Sequence, residues 1–208
     1  MTTPQELVER ALALSTARDT MVIVTVSAVA NLRWARTTLT TNGETTATAV
    51  TVIALVDVPE GTGVGSVSRS NPGLDGLGAL VAEAEAVARA SEAAEDAADL
   101  VVDVVDATWG DVAGATDARS VGALAAGLGE VFRSAVADGI EHFGYAEQSV
   151  VTTYLGTSRG VRRRWEQPTG RLELTAKSHE RSRSTWAGRA ARDLSSLDLA
   201  AVDAELRR

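Results

Sequence analysis

The 208 residues contain two histidines, His142 and His179, and no cysteine. Thiolate chemistry is therefore excluded: no disulfide, no Cys-held zinc, no Cys nucleophile. His179-Glu180 is the one His-Glu pair, but no histidine follows it. A zinc-protease helix needs a second imidazole one turn later, so that both reach one metal. The surrounding Ser178–Ser184 reads as a solvated hairpin turn. His142, beside Glu141 and Phe143, falls at a helix-to-strand junction. Such a histidine is expected to sit at the surface or to cap. Paired with carboxylates, His142 and His179 would be the parts of a small stand-alone hydrolase, which stays open as an alternative.

Gly61-Thr62-Gly63-Val64-Gly65 invites a phosphate-loop reading. That chemistry needs a helix directly after the glycines, to hold the phosphate at its N-terminus. Here Val64–Ser68 continues as strand, so hairpin glycines are the simpler account. Arg162-Arg163-Arg164-Trp165 is the densest basic stretch. In a strand its alternate side chains point to opposite faces, so the cluster splits. Tyr154, Arg162, Arg164 and Trp165 are the candidates for a peptide-facing or partner-facing surface. An adaptor that binds protein or nucleic acid through this strand is a further alternative. Glu83, Glu85, Glu92, Glu95, Asp96 and Asp99 crowd one helix and read as its solvated face. No Gly-x-Ser-x-Gly elbow occurs, and no catalytic constellation stands out.

The composition bounds the rest. Apolar residues make up 45% and charged residues 23%, the balance of a globular chain. A chain this long hides roughly 70% of its unfolded surface. The net charge of −8 disfavours nucleic acid, which calls for a basic footprint. No apolar run reaches the ~18 residues of a membrane span, and residues 1–20 lack the apolar core of a secretory signal. A cytoplasmic protein is expected.

The elements follow from periodicity. Thr3–Ala17 is an amphipathic helix, with Thr3 as N-cap, Pro4 in the first turn and Glu6 completing a capping box. Met21–Ala30, Leu32–Thr41, Glu44–Val56 and Gly61–Arg69 alternate as strands, with a hairpin turn expected at Asn42-Gly43. An Ala-rich helix spans about 74–98. Leu100–Val105 is a strand or connector, and 108–116 a loop. A second long helix runs over 118–138 and ends at Asp138-Gly139. Ile140–Leu155, Val161–Ser178 and Ser182–Ala190 are strands, the middle one kinked or broken near Pro168. The segment 194–208 reads as a polar helix start or a frayed end. Helix followed by meander thus occurs twice, over 4–70 and 119–192, with Asn42-Gly43 in the place of Arg159-Gly160.

The fold class is therefore α+β: two pseudo-repeated units of helix plus antiparallel β-meander, forming one mixed region over 1–208, with possible sub-units 1–100 and 118–192. The order of elements and several strings resemble the N-terminal region of the TldD/PmbA family, the PmbA (TldE) side especially. The strings are Leu32–Arg36 with Thr41–Glu44, Gly63–Ser70 leading to Ala86–Ala90, and Ala146–Ser149 through Tyr154–Val161. Members are cytoplasmic zinc-dependent proteases, or non-catalytic partners of them, that act on unfolded peptides and mature peptide toxins. An older family name is modulator of DNA gyrase. The resemblance implies a non-catalytic N-terminal part, with the family's C-terminal domain and its His-Glu-x-x-x-His helix beyond the region matched. No catalytic residue and no metal ligand carries over. It implies no cofactor in this chain, with zinc in a TldD-type partner or in the C-terminal domain. It also implies a homo- or heterodimer with a TldD-like subunit, unfolded peptides as ligands, and no membrane.

Overall fold

A computed structural model describes residues 2–208. The chain runs through α1 (Pro4–Leu14), β1 (Asp19–Ala35), β2 (Thr38–Val58), β3 (Gly61–Ser70), α2 (Leu77–Ala90), α3 (Gly122–Ala137), β4 (Glu141–Thr157), β5 (Arg162–Ser178), β6 (Arg183–Ala191) and α4 (Leu199–Leu206). Three-residue to four-residue 3-10 turns precede α2, α3 and α4. The order helix, three strands, helix therefore occurs twice. All six strands form one sheet in the order β3-β2-β1-β4-β5-β6. β2 with β3 and β5 with β6 are antiparallel. Ser158 N–H to Thr20 O and Thr37 N–H to His142 O run β4 antiparallel to β1. The α+β class and the doubled helix-meander order expected from the sequence hold.

The local reasons are plain at both ends of the chain. The Thr3 hydroxyl accepts from Glu6 N–H while the Glu6 carboxylate accepts from Thr3 N–H, so the capping box closes as expected. At the other end 194–208 is neither polar nor frayed. Leu199, Val202 and Leu206 of α4 are buried, and Asp198 caps its first turn. The helix expected over 74–98 is shorter, because Ser91 takes extended dihedrals and closes α2.

One turn lies elsewhere than expected. β2 runs straight through Asn42-Gly43, and the hairpin turns at Arg36-Thr37 instead. Both of these residues take left-handed dihedrals, φ 49° and 62°, as a tight hairpin that matches strand twist requires. Tertiary contacts hold them there: Thr37 N–H donates to His142 O at 2.9 Å, and the Thr37 hydroxyl accepts from His142 N–H at 3.2 Å. Arg36-Thr37, not Asn42-Gly43, corresponds to the β4–β5 turn at Ser158–Val161. Pro168 does not break β5, which is one strand from Arg162 to Ser178.

The chain forms two compact units. The first comprises 2–26, 47–113 and 151–166; the second comprises 27–46, 114–150 and 167–208. Each of the four long strands contributes one end to each unit. In the first, α1 and α2 pack Leu7, Val8, Leu77, Leu80 and Ala84 on Val22, Val24, Val50, Val52 and Tyr154. Gly63 and Gly65 let α2 approach β3: a Cβ on either would come within 2.2 Å of the carbonyl of Ala88 or Ala84. This close approach is the task of the Gly-x-Gly-x-Gly string. In the second unit, α3 and α4 pack Leu124, Leu128, Phe132, Val202 and Leu206 on Trp34, Ala146, Leu172 and Leu174. No helix among the described residues is long and apolar enough to cross a membrane.

Candidate functional site

The four residues singled out from the sequence all lie in the first unit, on the strand ends of the β4–β5 hairpin. The structure brings Tyr154 and Arg164 together, engages Arg162 with Glu9 of α1 and leaves Trp165 outside. Tyr154 points to the helix side and is fully buried. Its hydroxyl donates to Asp111 O at 2.8 Å, and Trp109 meets its ring edge-on at 5.7 Å. The Arg164 guanidinium lies over the same ring, 5.8 Å from its centroid. It donates to Val112 O at 2.8 Å and pairs with Glu166. Burial disfavours the Arg164 charge, but hydrogen bonds to Tyr154 and Glu166 outweigh it and raise its pKa.

Arg162 makes a two-pronged pair with Glu9 of α1, at 2.6 and 2.8 Å, and donates to the carbonyls of Thr157 and Val161. Arg163 pairs with Asp106, which also accepts from Arg164 N–H at 3.0 Å. The Arg164 N–H and the Arg163 guanidinium together hold the Asp106 carboxyl below its ordinary range. The arginines thus split as the strand pleat demands, and their charge is met by Glu9, Asp106 and Glu166. They tie the connector 101–113 and α1 to the hairpin. Trp165 lies on the opposite pleat and is 68% exposed. Of the four candidates it alone presents a large free surface.

The two histidines have separate roles. His179 is in the exposed β5–β6 turn, as expected. His142 is not at the surface. It is fully buried on the core side of β4, with its Nε2 3.0 Å from Asp203 Oδ1 of α4. The junction reading failed because α4, which supplies the cover, reads as a polar tail. Among the described residues, no three of the side chains His, Asp and Glu gather closely enough to hold a metal ion.

Glu85 also departs from the expected solvated face. It is 5% exposed and accepts from Thr16 N–H, the Thr16 hydroxyl, Ala17 N–H, the Ser15 hydroxyl and Arg89. Burial alone would raise its pKa; these donors reverse that and bring it to about 2. It anchors the α1–β1 link.

A surface that sequence reasoning missed is the side of the sheet opposite the helices. In the first unit it presents the half-buried Met21, Ile23, Ile53, Val64, Val151 and Leu155, which alternate with the core residues of the same strands. The buried apolar residues of α1 and α2 all belong to the core on the other side. The signal was present in β1 and β2 as apolar residues at both parities, the mark of a strand covered on both faces. In the second unit, β3 pairs only with Ala49–Val58, so the 38–46 edge of β2 has no partner strand on that side among the described residues.

No protein-family model matches the chain, and no curated protein matches it in sequence. Solved structures do match. They define the class: an α+β fold of two helix-meander halves, found within proteins about twice this length. The chain is similar to TldE from Thermococcus kodakarensis, with a TM-score of 0.71 and 12% identity over 97% of this chain and 46% of that one. It is similar to a protein named as a modulator of DNA gyrase from Thermotoga maritima MSB8, with a TM-score of 0.68 and 14% identity over 98% of this chain and 47% of that one. A third, also named as a modulator of DNA gyrase, is from Bacteroides thetaiotaomicron VPI-5482. It gives a TM-score of 0.69 and 12% identity over all of this chain and 49% of that one. At these identities the likeness is one of fold, and it is the fold that the sequence resemblance implied. The chain spans about half the length of each.

Proposed function

We propose that the chain is the non-catalytic N-terminal region of a TldD/PmbA-like metalloprotease subunit. It forms part of the shell of a homo- or heterodimer with a TldD-like subunit, in the cytoplasm. It lines the path by which unfolded peptides reach a zinc centre held by the partner or by a C-terminal domain. The observation that supports this is the apolar sheet side of the first unit, with half-buried Met21, Ile23, Ile53, Val64, Val151 and Leu155, which carries no helix among the described residues. Contiguous apolar surface of this kind marks an enclosed or docking face. The bare 38–46 edge of β2 suits extended peptides, since strand addition recruits backbone groups and needs no special side chain.

The test is elemental analysis of the purified chain for zinc, together with casein cleavage, alone and after addition of a TldD-type subunit. Cleavage only in the mixture, with zinc tracking the added subunit, is expected. Stoichiometric zinc with cleavage by this chain alone would overturn the reading, and His142 and His179 would become the ligands to replace.

A further inference from the structure

The first unit has an open backbone edge of its own, on the connector that follows α2. The connector runs parallel to the start of β5. Asp103 N–H donates to Arg159 O at 3.0 Å, Arg162 N–H to Val104 O at 2.8 Å and Asp106 N–H to Arg162 O at 2.8 Å. Arg163 and the Arg164 N–H then hold the Asp106 carboxylate. One side of the segment is thereby fixed, and the other is bare. Val105 is the residue bridged to Arg162, so its own N–H and C=O point away from β5. The N–H groups of Val101, Val102 and Val105 have no partner among the described residues.

The side chains of this segment are apolar and in solvent. Val101, Val102 and Val105 are 68%, 56% and 63% exposed. Single exposed valines are ordinary. Three within five residues, on a bare strand edge, make a template for another strand. Neither a proline nor a lysine blunts it.

Carboxylates surround the valines instead. Between Arg89 and Arg119 the chain has eight of them and no lysine or arginine, which matches the whole net charge of −8. Asp106 and Asp117 are taken by Arg163 and Arg119. Asp99 acts on Arg159, whose guanidinium already pairs with Asp19. Glu92, Glu95, Asp96 and Asp103 are exposed and make no ion pair among the described residues. The edge is thus apolar at its centre and negative at its approach.

We propose that Val101–Val105 docks an extended partner segment in which aliphatic residues alternate with lysine or arginine. The partner's backbone meets the outward N–H and C=O groups by strand addition. Its aliphatic side chains cover the valines, and its cations meet Glu95, Asp96 and Asp99. Five extended residues span roughly 17 Å, so a short segment suffices. A second copy paired through this same edge sets carboxylate against carboxylate, and a polynucleotide brings further negative charge; both are disfavoured by like-charge repulsion. This edge is separate from that of β2. The proposal does not rest on the protease reading, because docking needs neither zinc nor cleavage.

The experiment is fluorescence anisotropy of labelled synthetic peptides titrated with the full chain at fixed ionic strength. One peptide alternates lysine and valine, a second glutamate and valine, a third lysine and proline. The variants are Val102→Asn, Val105→Asn and the pair Asp96→Asn with Asp99→Asn, with Val136→Asn on α3, also an exposed valine, as control. Saturable binding of the lysine-valine peptide is expected. Each edge variant should weaken it about tenfold, and Val136→Asn should leave it unchanged. The melting temperatures of these surface variants should not move. The glutamate-valine peptide should fail for its charge, and the lysine-proline peptide because it lacks alternate N–H donors. No saturable binding at millimolar lysine-valine peptide overturns the proposal. Equal binding of the lysine-proline peptide overturns it in favour of charge attraction alone. Concentration-dependent self-association that Val102→Asn abolishes overturns it in favour of a second copy.

Discussion

His142 Nε2 stands 3.0 Å from Asp203 Oδ1, both groups buried, at hydrogen-bonding distance but off the direction a hydrogen bond prefers. The contact joins the start of β4 to α4. Burial lowers the His142 pKa, Asp203 opposes this, and Arg207 lowers it again; the net direction is down. The folded chain therefore resists a proton that the unfolded chain accepts near pH 6.5. Stability contributed here is complete above that pH and is lost as pH falls through the window below it. Urea unfolding at pH 7.5 and pH 5 should show the loss. In His142→Gln this part of the slope should vanish, and an unchanged slope would count against the assignment.

Glu85 gives a second pH-dependent contribution at a different place on the scale. Its displacement from 4.5 to about 2 corresponds to roughly 3 kcal/mol. Because the folded-state pKa is depressed, this stability is present above pH 4.5 and is lost as pH falls towards 2. Glu85→Gln keeps the shape but not the charge on Thr16 N–H, Ala17 N–H and Arg89. Chemical unfolding at pH 7 should show a loss of about 2 to 3 kcal/mol, and the variant's stability should fall less steeply than the parent's between pH 4.5 and 2, the Glu85 part of the slope being gone. A loss below 1 kcal/mol would mean that Glu85 is a spectator of the α1–β1 link.

What the sequence made legible divides by range of interaction. The Thr3–Glu6 cap, the alternation of β1, the strand formers of β4, and the splitting of Arg162–Arg164 are set by neighbours in the chain, and all were readable. Asn42-Gly43 and Arg36-Thr37 show the limit. Local propensity favours the former as a turn, but contacts between Thr37 and His142, more than a hundred residues apart, settle the latter. His142, Glu85 and α4 share one cause. Each looked polar and exposed because its cover comes from a distant segment. Tyr154 was singled out for a surface role and is core, since its cover is the irregular connector at Trp109–Asp111, which has no periodicity to read. The edge at Val101–Val105 was legible by half: its valines read as a strand or connector, but which side stays bare is decided by its pairing with Arg159 and Arg162.

The Arg36-Thr37 turn carries its own prediction. Arg36 takes φ 49° with a Cβ, so Arg36→Gly should relieve strain and stabilise the chain by about 1 kcal/mol. Thr37→Gly should gain less, or lose, because the Thr37 hydroxyl accepts from His142 N–H. Thermal unfolding of the two variants orders them. Equal gains would show that this hydroxyl contributes nothing.

Gly65 tests the seat of α2. A methyl group there would sit 2.2 Å from Ala84 O and 2.4 Å from Ala88 N, both backbone atoms that cannot swing aside. Gly65→Ala must therefore push α2 outward along the contact with Leu80, Ala84 and Ala88. Overpacking of this kind costs typically 1 to 3 kcal/mol, and the backbone neighbours place this site at about the upper end. Gly78→Ala is the comparison. It lies in the same helix with open space around its Cβ, so it should be neutral or stabilise by up to about 1 kcal/mol through helix propensity. If the two substitutions had the same effect, close approach of α2 to β3 would not be why the Gly-x-Gly-x-Gly string is there. With the expected opposite signs, the string is accounted for by packing, and a phosphate-loop role for it is not needed.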